Sequence, residues 1–211
     1  LSQKGAKDIL AIDYSTIAIN EAKKRFASPN LNFKAMNALN ISSLNRSFDV
    51  ITAFEIIEHL PINSHSLFLD QIKKTLAPNG VCFISTPNKL ISSPNQKKPK
   101  NPYHEKEFTP RELSQLSKKY FPKTRLIGIK YINQNYLEKN KLIQKQIGNK
   151  AAIFLSRFKI ITELLPFIPK RLKQIITSEN FLPPLRASDF KFLKKNIDDC
   201  QNLFIICKNS S

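Results

Sequence analysis

The run FDVITAF at 48–54 restricts the fold more than any other segment. It is apolar at most positions, rich in β-branched and aromatic residues, and bounded by polar sequence. That pattern fits a buried strand of the kind found in parallel sheets. Similar runs recur along the chain: ILAIDY (9–14), LNFKAM (31–36), VCFIST (81–86), RLIGIKYI (125–132) and LFIICK (203–208). Helical segments fall between them. Ser15 is placed to cap a helix over about 16–26, with Ile17, Ala18, Ala22 and Phe26 at helical spacing. Ser66 to Leu76 reads as a second helix, stopped by the turn Ala77-Pro78-Asn79-Gly80. Thr109, Pro110 and Glu112 spell a capping box with proline at the first helical position. Strands alternating with helices predict an α/β domain built on a parallel sheet.

A chain of 211 residues, 41% hydrophobic and 24% charged, suits one globular domain with a true core. No apolar stretch approaches the roughly 20 residues of a membrane span, and Leu1 to Asp8 carry no signal-type apolar region. Because the first residue is Leu, a segment removed upstream is expected. Cys82, Cys200 and Cys207 are too few and scattered for a disulfide framework or a zinc site. They read as buried, reduced thiols of a cytoplasmic protein.

The formal net charge of +18 admits a polyanionic partner. Lys greatly outnumbers Arg, however, and base-reading contacts rely on Arg forks, so nucleic acid is the less favoured partner. Two basic segments have alternative readings. KLISSPNQKKPK (89–100) is either a solvated loop or a lid that attracts an anionic substrate. Residues 152–176 mix Phe, Leu and Ile with cations, which fits a helical cap on the sheet or a helix pair in peripheral contact with a membrane.

The segments FDVITAFEIIEHLP (48–61), LAPNGVCFISTPN (76–88) and NPYHEKEFTPREL (101–113) carry a more specific signal. In this order they resemble class I S-adenosylmethionine-dependent methyltransferases, in particular the small-molecule and quinone O-methyltransferase branch. The resemblance covers residues 1–133 as the core, with 187–211 as the final strand region and 134–186 as an unmatched helical insertion or cap. It implies a Rossmann-like seven-stranded sheet in order 3-2-1-4-5-7-6, with cofactor across the carboxyl ends of the strands. Asp13 would accept hydrogen bonds from the ribose hydroxyls, its alternative being a strand-end turn residue. Tyr14 would flank the adenosine, Asn37 and Ala38 would meet the adenine edge, and Phe54 would approach the methionine moiety. The family's first strand and glycine-rich turn have no counterpart, since Gly5, Gly80, Gly128 and Gly148 form no GxG. A truncated sheet lacking that strand is therefore expected, with poor cofactor binding.

Glu55, Glu58 and His59 follow the 48–54 strand as E-x-x-E-H. If a helical turn begins there, Glu55 shares a face with Glu58 and His59. Two carboxylates and an imidazole suit a divalent cation such as Mg²⁺, with His104 as a fourth ligand. Similar motifs bind metal in quinone O-methyltransferases and in small-RNA 3′-terminal 2′-O-methyltransferases. The same residues also suit a metal-free site in which His59 and Glu58 handle the acceptor proton, or a purely structural role. His65, in NSHS, reads as solvated surface. The expected function is methyl transfer from S-adenosylmethionine to an oxygen or nitrogen of a small-molecule, glycan or lipid-linked acceptor. The alternatives are 2′-O-methylation of an RNA end and a non-catalytic remnant of the fold.

Overall fold

The computed structural model describes residues 5–132 and 189–209. The predicted insertion at 134–186, including the basic apolar stretch 152–176, lies outside the described residues. Gly148, of the four glycines, lies there too. The chain divides into two compact units, Leu1–Gly128 with Leu193–Ser211, and Ile129–Phe192.

In the first unit, β1 (Ile9–Asp13), α1 (Thr16–Arg25) and β2 (Leu31–Ala35) form a βαβ unit whose strands pair in parallel, Ile9 opposite Leu31 and Asp13 opposite Ala35. Ser15 caps α1 as its sequence predicts, its hydroxyl accepting from the Ala18 N–H at 3.2 Å. Three cations, Lys23, Lys24 and Arg25, close the helix where its dipole is negative. A second sheet holds β3 (Phe48–Phe54), β4 (Leu76–Pro87), the first part of β5 (Lys123–Tyr131) and β7 (Asn202–Lys208); β6 spans Phe190–Leu193. Within the first unit its order is β3-β4-β7-β5. β3 and β4 are parallel, while β7 runs antiparallel to β4, with Cys82 opposite Cys207. The sheet is thus mixed, not purely parallel.

No strand joins β1 to β3 among the described residues, so the sheet stands in two pieces. Both open edges belong to strands whose other side is paired in parallel. Beside them Tyr14, Ile17, Val50 and Phe54 are exposed to between 50% and 83%. A run that reads as buried on both faces is therefore half bare.

α2 (His65–Thr75) and α4 (Pro110–Lys118) cover the second sheet and close the core. Phe68, Leu69 and Ile72 of α2 pack with Leu113 of α4, with Ile84 of β4 and with Leu203 and Ile205 of β7. The α4 capping box forms as spelled: Thr109 Oγ1 accepts from the Glu112 N–H at 3.2 Å, and Glu112 Oε2 accepts from the Thr109 N–H at 2.9 Å. The turn predicted at 77–80 is absorbed into β4, with Asn79 left-handed and the register slipping between Phe48 and Val50. A short helix, α3 (Lys89–Ser92), occupies the start of the basic loop. All three cysteines are buried. No described helix is long and apolar enough to cross a membrane.

In the second unit the described residues are the end of β5 and most of β6. The Tyr131 and Phe190 rings meet edge to face at 5.0 Å, and the Ile132 N–H donates to the Asp189 carbonyl at 2.9 Å.

His65 corrects an expectation. It is 4% exposed and opens α2 with its ring against Phe108 and its Nε2 3.1 Å from the Leu60 carbonyl. Burial holds its pKa below the ordinary histidine range. Its polar neighbours in NSHS mask a position that the helix start turns inward.

Gly128 lies where a Cβ would come within 2.8 Å of Cys200 Cβ and collide with its sulfur. Gly128→Ala should lower stability in urea unfolding by about 1–3 kcal/mol, the usual cost of overpacking. Thr109→Ala should lose about 1 kcal/mol with the cap.

Candidate active site

The predicted cofactor residues sit at the carboxyl ends of their strands. Asp13 ends β1, and its Oδ1 accepts from the Ser15 N–H at 2.7 Å. One carboxylate oxygen therefore orients the entry to α1. Tyr14 follows, 83% exposed. Asn37, after β2, caps the 3-10 turn Ala38–Leu44 by accepting from the Leu39 N–H at 2.9 Å. Phe54 ends β3 and tilts against Phe204 of β7 at 5.8 Å. Asp13 and Asn37 thus each do local backbone work, which leaves their remaining polar atoms to any ligand.

Glu55 departs from the expected geometry. Its backbone is left-handed (φ 55°), so no helical turn begins there. Its carboxylate accepts from Ser85 Oγ at 2.6 Å and from the Asn202 amide at 3.2 Å. Glu55 therefore ties the end of β3 to β4 and β7, and the shared face with His59 does not form. The helical turn starts two residues later, as the 3-10 turn Ile57–His59.

That turn drives Glu58 into the interior. The residue is 0% exposed; Oε2 accepts from Thr86 Oγ1 at 3.0 Å, and Oε1 has no hydrogen-bond partner. Its main-chain carbonyl accepts from the N–H groups of Glu105 and Lys106 at 2.8 and 3.3 Å. Glu58 thereby draws the NPYHEKEF segment onto the β3–β4 ends. His59 comes with it: Nδ1 lies 2.8 Å from the Tyr103 carbonyl, and Nε2 lies 3.8 Å from Glu58 Oε1. His104 meets the His59 ring edge-on at 4.8 Å. Its Nδ1 lies 2.8 Å from Glu107 Oε1, and the Asn101 amide donates to its Nε2 at 2.8 Å. Ser92 Oγ donates to the other Glu107 oxygen at 2.6 Å.

Sequence pairing of Glu58, His59 and His104 is thus met in space, with potential ligand atoms all within 4.8 Å of one another. Glu107 was missed. Its signal was present, an acid three residues after His104 at i,i+3 spacing, but in a segment that reads as loop. Burial, and secondarily the charge of Glu55, pushes the Glu58 carboxyl up to about 7. Contacts with His104, Ser92 and Ser93 hold Glu107 below the usual carboxylate range, against the effect of its burial.

A hollow of about 610 Å³ lined by His65, Phe108 and Lys119, among others, contains none of the predicted site residues. The site is assigned by the polar cluster and not by that hollow.

The parallel β1-α1-β2 unit, the acid ending β1 and the polar cluster after β3 define an α/β domain of the class I methyltransferase type. A model of the methyltransferase domain family matches residues 1–137, and the chain belongs to that family. A probable S-adenosylmethionine-dependent methyltransferase of Mycolicibacterium smegmatis is 30% identical over 111 residues, 53% of this chain and 42% of its own length. A Mycobacterium tuberculosis protein of the same description matches equally, over 39% of its length. The chain thus spans about two fifths of these relatives. Among solved structures, the N-methyltransferase NodS of Bradyrhizobium japonicum superposes at TM-score 0.51 with 12% identity, over 97% of this chain and 75% of NodS. The plantazolicin methyltransferase BamL gives 0.53 with 16% identity, over 100% of this chain and 71% of BamL. The [4+2]-cyclase SpnF gives 0.55 with 12% identity, over 99% and 68%. At such identities the likeness shows the fold alone.

The raised Glu58 pKa fixes a pH dependence of stability. A carboxyl that titrates near 7 when folded and near 4.5 when unfolded stabilises fully below 4.5 and loses that contribution as pH rises through 7. Wild type should therefore lose up to about 1.4 kcal/mol per pH unit relative to Glu58→Gln between pH 5 and 7. Urea unfolding across this range measures it, and parallel curves for the two proteins would contradict it.

Proposed function

We propose that this domain transfers the methyl group of S-adenosylmethionine to an oxygen, or a nitrogen, of a small-molecule, glycan or lipid-linked acceptor. The observation that carries the reading is the convergence of Glu58, His59 and His104 just past the carboxyl ends of β3 and β4, in a chain of the methyltransferase family. Class I sheets hold their ligands at such strand ends. The relatives' description as S-adenosylmethionine-dependent methyltransferases and the crystallised complex of BamL with S-adenosylhomocysteine support the cofactor. NodS, an N-methyltransferase, supports nitrogen beside oxygen as the acceptor atom.

In this reading Asp13 accepts hydrogen bonds from the ribose, Tyr14 and Phe54 wall the adenosine and the methionine chain, and Asn37 with Ala38 meets the adenine. A further parallel strand with a glycine-rich turn, set between the open edges of β1 and β3, completes the cradle. The acceptor's lone pair attacks the methyl carbon in line with the departing sulfur. The carbon–sulfur bond breaks as the new bond forms, and the sulfonium leaves as a neutral thioether. Alignment supplies much of the rate. His59 and Glu58 supply the rest by removing the acceptor's proton.

The formal charge of +18 favours a second reading, an RNA end as acceptor. Binding to RNA that falls steeply with salt would support it.

Labelled S-adenosylmethionine incubated with the native protein and extracts of small molecules, lipid-linked glycans and RNA tests the proposal. Asp13→Ala should weaken cofactor binding by at least about tenfold, the loss of a charged hydrogen-bond acceptor. His59→Ala should lower turnover about 10²–10⁴-fold with cofactor affinity unchanged. A native protein that binds no cofactor would overturn the reading in favour of a non-catalytic fold.

A further inference from the structure

One hollow in the first unit has no part in the methyl-transfer reading. It measures about 610 Å³, within the roughly 300–1,000 Å³ of small-molecule pockets. Its lining joins two chemistries: Ile62, Phe108 and Leu116 give an apolar surface, and Lys106, Lys118 and Lys119 bring positive charge to it. That charge is only partly balanced. Glu112 is the acid in the lining, and its carboxylate is already taken. Oε2 accepts from the Thr109 N–H and from Thr109 Oγ1, each at 2.9 Å, and Oε1 lies 3.1 Å from Lys106 Nζ. Lys118 and Lys119 make no ion pair among the described residues. Cations at the end of α4 suit the negative end of its dipole, but that does not account for the apolar hollow beside them. The hollow also backs on the turn that carries Glu58 and His59. His65, in its lining, meets the Leu60 carbonyl through Nε2 at 3.1 Å, and the Lys106 N–H donates to the Glu58 carbonyl at 3.3 Å.

We propose that this hollow binds a free amphipathic anion, a carboxylate or phosphate carried on a short apolar body. The apolar body packs against Ile62, which is 59% exposed, and Leu116, while the anionic end meets Lys118 and Lys119. Burial of the body supplies affinity, and the lysines select the anion and fix its orientation. The cations border a concavity that a bilayer surface cannot enter, so the ligand comes from solution. Binding requires neither cofactor nor acceptor. An effect on turnover, carried by His65 and Lys106 to the 57–60 turn, rests on the methyl-transfer reading.

Octanoate titrated into the native protein tests the site, followed by carbon-13 NMR of the Ile62 methyl groups and the His65 ring. Octanol and acetate are the uncharged and chainless controls, and phosphatidylglycerol vesicles the membrane control. Saturable binding of one octanoate per chain is expected, at least about tenfold tighter than octanol or acetate, with both reporters shifting together. The double variant Lys118→Ala/Lys119→Ala should weaken octanoate at least about tenfold through loss of its charged partners, and leave octanol unchanged. Ile62→Asp should weaken octanoate by at least as much, since it removes apolar surface and sets a like charge beside the ligand. All three side chains are exposed, so the changes spare the core, and circular dichroism checks the fold. Octanoate that binds no tighter than octanol, affinity that the folded double variant retains, or binding to vesicles alone would overturn the site. A protein that binds octanoate here and transfers no methyl group would refute the functional reading and leave the site standing.

Discussion

The arrangement depends on one buried carboxylate. Glu58 sits at 0% exposure, takes a hydrogen bond from Thr86 at the end of β4, and through its carbonyl accepts two N–H groups of the 105–106 backbone. These contacts join three stretches of chain far apart in sequence: the turn after β3, the end of β4, and the loop that carries His104. Burying an ionisable group this deeply is unfavourable unless the surroundings repay the lost hydration. The hydrogen bonds do so in part, and the unsatisfied Oε1 marks what is left over. That residual demand is what makes the cluster a chemical centre as well as a structural joint.

Glu55 supplies the complementary constraint. Its left-handed backbone ends β3 abruptly, and Ser85 with Asn202 fixes its side chain across three strands. The chain can then dive, and the 3-10 turn begins at Ile57. Two acids of one motif thus take opposite roles, one pinning the sheet and one facing the site.

Much of the fold was legible in the sequence because its signals are local. FDVITAF became β3 residue for residue, and the Ser15 and Thr109 caps formed as their spacing implies. The site was legible in residue type but not in geometry. Nothing local foretells that Glu55 adopts positive φ, since its constraint comes from Asn202, 147 residues away. His65 looked solvated because its neighbours are polar, whereas packing against Phe108 buried it. Glu107 carried no warning beyond its spacing from His104.

Fold by itself does not decide chemistry here, since a [4+2]-cyclase shares the architecture. The account therefore rests on the state of the two imidazoles that face Glu58. Nitrogen-15 long-range correlation spectra of the native protein read each histidine's tautomer directly. The account predicts that His59 and His104 both carry their proton on Nδ1, held by the Tyr103 carbonyl and by Glu107. A proton on Nε2 of either ring would turn its lone pair away from Glu58 and contradict the site as described.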